Sequence, residues 1–128
     1  DAKSAIETAL DIQQAINDLN IELSLENLPK MRLRIGIHSG EVLAGSIGSR
    51  ERLEYGLIGD AVNCASRLES LEKKRQHNDC RVLVSSTTRD LLDSEVDFQW
   101  KEWGDCTIKG RNTQLQVSEL ISRKNLNE

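Results

Sequence analysis

Apolar residues at Ala2, Ala5, Ile6, Ala9, Ile12, Ile16 and Leu19 recur every three or four positions, which lays one stripe along a helix and predicts α structure from Ala2 to Leu19. The polar stretch from Asn20 to Lys30, which holds the only proline, Pro29, leads out of that helix. From Arg32 the period drops to two. Leu33, Ile35 and Ile37 alternate with Arg32 and Arg34, a strand pattern, and Ser39-Gly40 reads as a tight turn into a second strand from Glu41 to Ile47, giving a hairpin. Gly48 to Arg52 is a polar loop, Leu53 to Ile58 a third strand, and Gly59-Asp60 caps the helix that follows.

In that second helix Ala61, Cys64, Ala65, Leu68 and Leu71 form the core-facing stripe. Asn63 and Arg67, four residues apart, share the other face. An amide beside a guanidinium suits a ligand that presents sugar oxygens and phosphates, although spacing alone favours a solvated helix face. The run Glu72-Lys73-Lys74-Arg75 places cations at the helix C-terminus, where the macrodipole is negative. Beyond a loop with His77 and Asn78, Cys80 to Val84 reads as a short buried strand, and Ser85 to Thr88 caps a short helix through Leu92. Strands near Phe98 to Trp103, Thr107 to Ile108 and Leu115 to Ile121 complete the pattern, with Lys109 to Asn112 as the last turn. Gly36, Gly40, Gly45, Gly48, Gly56 and Gly59 are expected mainly as turn and bulge residues.

Length allows one domain with one modest core. A formal charge of −4 and 3% aromatic residues argue against a nucleic-acid surface, which needs a basic field and stacking platforms. No apolar run approaches the roughly 18 residues of a membrane span, so this segment is expected to make no membrane contact. The cysteines, Cys64, Cys80 and Cys106, are odd in number and 16 and 26 residues apart, which suits neither a disulfide framework nor a zinc site. A reducing compartment follows, with Cys64 and Cys80 as core residues. No phosphate-loop, dinucleotide, zinc-protease or serine-elbow fingerprint occurs. His38 and His77 read as structural, and no side chain stands out as a catalytic base or nucleophile.

The segments RIGIHSGEVLAGSIGS (Arg34 to Ser49) and LEYGLIGDAVNCASRLES (Leu53 to Ser70) resemble the C-terminal half of the class III nucleotidyl cyclase catalytic domain, with weaker likeness through the first helix and on to the IKG of Ile108 to Gly110. The resemblance implies an α/β (α+β sandwich) fold of the ferredoxin-like type, an antiparallel sheet backed by helices. It further implies that residues 1–128 are a partial domain, truncated at the N-terminus and inactive alone. The family forms cyclic AMP from ATP, or cyclic GMP from GTP, with two Mg²⁺ or Mn²⁺ ions held by two aspartates. Neither aspartate motif occurs here; Asp1 and Asp60 do not match them, and no metal ligand is assigned. By the same resemblance Asn63 orients the ribose, Arg67 stabilises phosphate charge in the transition state, and Lys109 reaches the terminal phosphates, with Arg111 as the alternative. Gly56, seven residues before Asn63, stands at the base-selecting position and offers no side chain. A cytoplasmic homodimer with sites at its interface is expected, in a parent that can be membrane-anchored through upstream segments. Adenylate cyclase is preferred over guanylate cyclase, and a catalytically silent regulatory module is the alternative.

Overall fold

The computed structural model describes residues 1–41, 43–47, 54–58, 60–93, 97–108 and 114–124, with 43–47 and 54–58 as backbone alone. Helix α1 (Ala2–Leu25) begins at Asp1, whose carboxylate accepts from the Ser4 amide at 2.8 Å. It runs six residues past the predicted end at Leu19, because nothing in Asn20–Leu25 breaks it. Its stop is Asn27 at φ 59°, with Asn27 N–H donating to Ser24 O (3.1 Å) and Leu28 N–H to Leu23 O (2.9 Å), the paired bonds of a Schellman ending. Asn20, only 3% exposed, holds both polar groups of Met31: its Oδ1 accepts from Met31 N at 2.7 Å and its Nδ2 donates to Met31 O at 2.9 Å. The link between helix and sheet is thereby tied down.

Strand β1 (Leu33–Ile37) is followed by the hairpin of β2 (Leu43–Ile47) and β3 (Glu54–Ile58), then helix α2 (Asp60–Ser70) and strand β4 (Cys80–Ser85). Helix α3 (Ser86–Arg89) and strands β5 (Phe98–Thr107) and β6 (Gln114–Arg123) complete the chain. The main sheet has the order β1-β4-β6-β5. The α+β class stands, with two corrections. The sheet is mixed, since β1 pairs with β4 in parallel while the other two pairings are antiparallel. The hairpin predicted from Leu33 to Ile47 does not form, because β2 pairs with β3 instead. At Ser39-Gly40 the chain is led away: His38 Nδ1 and Ser85 Oγ are 2.7 Å apart, and Ser39 Oγ and Thr88 Oγ1 are 2.9 Å apart. Those bonds fasten the end of β1 to the junction of β4 and α3.

Every residue of β4 is buried, as a strand covered on both faces must be. Cys80, Val82 and Val84 pack with Ile6, Ala9 and Leu10 of α1, together with Phe98 and Leu120. Leu83 points the other way, into a second cluster with Leu68 of α2, Trp103, Cys106, Ile108 and Val117. The two C-terminal segments predicted as separate strands, Phe98 to Trp103 and Thr107 to Ile108, are one strand: Gly104, at φ 77°, absorbs a register shift that the pattern shows as a break.

All three cysteines are buried and none is in a disulfide. Burial pushes the Cys80 and Cys106 thiols above their ordinary range, so little thiolate is available at neutral pH. Labelling of the native protein by a chromogenic disulfide reagent is expected to be slow at all three, with prompt reaction of all three after denaturation. A thiol that reacts fast in the native state would contradict this packing.

Candidate active-site face on helix α2

Helix α2 turns Ala61, Cys64 and Leu68 inward, at 8%, 1% and 0% exposure. The opposite face carries Asn63, exposed, and Arg67, half-buried, and no partner for either side chain is found among the described residues. Amide and guanidinium thus share one accessible face, as their spacing predicts. Asp60 lies in the first turn, where a carboxylate complements the positive end of the helix dipole.

Two glycines set how closely this helix sits on the sheet. A Cβ at Gly36 would lie 2.3 Å from Ala65 O and 2.6 Å from Glu69 N, and one at Gly40 would lie 2.9 Å from the Ala61 side chain. Gly36 is thus a contact glycine in the middle of β1, not the turn or bulge residue expected from sequence, and Gly40 likewise serves close approach. Beyond the helix, Glu72 adopts φ 37° and the chain turns back. The carbonyls exposed at this end are taken by two arginines from the sheet. Arg81, fully buried, donates from Nη1 to Glu72 O (2.9 Å) and Arg75 O (3.3 Å), and from Nη2 to Glu69 O (3.0 Å) and Leu71 O (2.7 Å). Arg34 donates from Nε to the Glu69 carbonyl and to its carboxylate, both at 3.2 Å. Burial, and then the neighbouring Arg34 charge, lower the Arg81 pKa, against the opposing pull of Glu119, Glu69 and Glu72. Trp103 underlies the assembly, with the Arg75 guanidinium 3.7 Å from its ring centroid and its Nε1 donating to Glu119 at 3.2 Å. In the sequence Arg81 is visible only as a residue of a buried strand. The signal was a charge at the second position of the otherwise apolar run Cys80 to Val84.

Gly56 is placed in β3 directly opposite Gly45 of β2. Lys109 and its alternative Arg111 lie outside the described residues. Ile108, which precedes Lys109, is 1% exposed and packs in the same cluster as Leu68 of α2. A cavity of about 840 Å³ opens elsewhere, between the start of α1 and the ends of β5 and β6, lined by Asp1, Lys3, Asp97, Phe98 and Lys124 among others. Neither Asn63 nor Arg67 lines it, so its size does not make it the site. Among the described residues no group of three or more His, Cys, Asp or Glu is placed to hold a metal ion. No helix among them is long and apolar enough to cross a membrane.

A mixed sheet covered by helices, with an amide and a guanidinium on the accessible face of a helix seated directly on a strand, defines an α+β domain with one candidate polar face. The chain matches the adenylate and guanylate cyclase catalytic domain over residues 1–119 and belongs to that family. It is 35% identical over 120 residues to adenylate cyclase 1 of Rhizobium meliloti, covering 94% of this chain and 17% of that protein. Its structure is similar to that of the adenylyl cyclase CyaB from P. aeruginosa, with a TM-score of 0.81 and 25% identity over 98% of this chain and 61% of that one. It is also similar to the guanylate cyclase domain of RhGC from Catenaria anguillulae, solved in complex with GTP, with a TM-score of 0.69 and 26% identity over 96% of this chain and 60% of that one. The chain thus spans about a sixth of the curated relative and about three fifths of these solved chains. Cyclase domains of this family use divalent metal ions. The described residues supply no cluster of ligands that fits such a centre.

Proposed function

We propose that this chain supplies the ribose- and phosphate-contacting part of a class III nucleotidyl cyclase site, acting in the intact protein on ATP. The observation that carries the reading is the pairing of Asn63 and Arg67 on one accessible face of α2, with the opposite face packed into the core. The reaction joins the ribose 3′ oxygen to the α-phosphorus and breaks the bond from that phosphorus to the bridging oxygen, releasing pyrophosphate. The Asn63 amide hydrogen-bonds the ribose and holds its 3′ oxygen in line. The Arg67 guanidinium donates to phosphate oxygens whose charge grows in the transition state, where fixed donors act most strongly. Lys109 is proposed for the terminal phosphates.

Two Mg²⁺ or Mn²⁺ ions, bound outside the described residues, a homodimer with the site at its interface and a cytoplasmic setting belong to the same reading. Likeness to the Rhizobium meliloti adenylate cyclase supports ATP as substrate, and likeness to the guanylate cyclase domain of RhGC keeps GTP as the alternative. Gly56 opposite Gly45 offers no side chain to either base.

The alternative reading is a silent cyclase-homology module that dimerises or regulates a partner; the presence of Asn63, Arg67 and Lys109 together argues against it. Cyclic AMP and cyclic GMP output by the natural full-length protein, from ATP and GTP with Mg²⁺ or Mn²⁺, separates the two. Cyclic AMP from ATP is expected, reduced at least about 10-fold in Asn63→Ala through lost orientation. A folded protein that yields no product from either nucleotide would sink the cyclase reading in favour of the silent module.

A further inference from the structure

We propose that Arg34 and Arg81 are positioning residues that fix where α2 presents Asn63 and Arg67, an inference that rests on the function proposed for that face. Arg34 and Arg81 stand directly opposite each other in the parallel register of β1 and β4. Both donate to the Glu69 carbonyl, and Arg81 continues to Leu71, Glu72 and Arg75. Two like charges are thus held side by side at the negative end of one helix.

Stability alone does not call for this arrangement. A buried charge costs several kcal/mol in desolvation, and apolar residues of similar volume commonly serve a core as well. Arg81 is completely buried and its Nε lacks a partner among the described residues, so part of that cost is not recovered. What a guanidinium supplies and an apolar side chain cannot is direction: a planar fork holds several carbonyls at fixed angles. Glu69 is two residues beyond Arg67, and Ala65, two residues before it, lies against Gly36. Arg67 thus lies between two points at which the helix is held against the sheet, an arrangement that opposes rotation about its axis and sliding along β1.

The test is steady-state kinetics of cyclic nucleotide formation by the natural full-length protein, per folded molecule, with melting temperatures measured in parallel. Arg34 is partly exposed, so Arg34→Met is expected to fold; its kcat should fall about 10-fold with KM held within about threefold, as misorientation by a fraction of an ångström would produce. Arg34→Lys, which keeps a donor, should recover most of the loss, and Arg81→Lys should fall between. Asn20→Ala, which loosens α1 on the far side of the sheet, is the control: its melting temperature drops and its kcat does not. If the arginine variants lose melting temperature while kcat per folded molecule stays at the wild-type value, or if only KM moves, their role is structural and the proposal is overturned. Failure of the wild type to make any cyclic nucleotide would instead overturn the underlying reading of the face, and the positioning role with it.

Discussion

Arg67→Ala is expected to lower kcat for cyclic nucleotide formation by at least about 100-fold, the usual consequence of removing one fixed donor from a site where charge develops. Its melting temperature should barely move. The side chain is half-buried, lies off the core-facing stripe and has no partner among the described residues, so truncation removes little packing and orphans nothing there. Loss of activity without loss of stability would mark a residue retained for chemistry. Arg67→Lys keeps the charge but not the planar fork and should recover only part of the rate, since a point charge cannot hold two phosphate oxygens together. Activity within about threefold of wild type in Arg67→Ala would show that the guanidinium does not touch the reacting phosphate.

Gly36→Ala should have the largest effect on stability. The added methyl would fall 2.3 Å from Ala65 O and 2.6 Å from Glu69 N, and these are backbone atoms of a helix, which cannot swing aside as a flexible side chain can. Relief requires lifting α2 off β1, which opens the contact between Leu68 and Leu83 and strains the Arg34 and Arg81 bonds at the helix end. A cost at the upper end of the overpacking range, about 3 kcal/mol, corresponds to roughly 10 °C in Tm for a domain of this size. Chemical denaturation with circular dichroism would measure it. A variant that melts within about 2 °C of wild type would show that the helix seat is softer than its geometry implies.

Much of the geometry of the candidate face could be read from the chain alone, because the information is local. The stripe of Ala61, Cys64 and Leu68 and the offset pair Asn63 and Arg67 follow from helical spacing, and the helix forms where the pattern put it. What was illegible depends on partners far away in sequence. Alternating Leu33, Ile35 and Ile37 announce a strand but not its neighbour, so β1 reads as one arm of a local hairpin until its parallel alignment with β4 is seen. Gly36 looks like any strand glycine until the helix above it is placed. Arg81 looks out of place in an apolar strand until the carbonyls it meets are known. Asn27 ends α1, yet asparagines abound in that stretch and only the backbone shows which one turns.

The parallel pairing of β1 with β4 also bears on the order in which the molecule assembles. Everything between those strands, the β2–β3 hairpin and α2 included, is one long crossover connection. Closing so long a loop costs chain entropy before any contact between β1 and β4 repays it, and such non-local pairings form slowly. The hairpin can form early from its own neighbouring residues, and Gly36 and Arg34 of β1 can meet α2 without β4, whereas the Arg81 bonds to the helix end need β4 in place. The arginine clamp at the end of the helix that carries Asn63 and Arg67 is therefore completed in a nascent chain only after β4 has been synthesised.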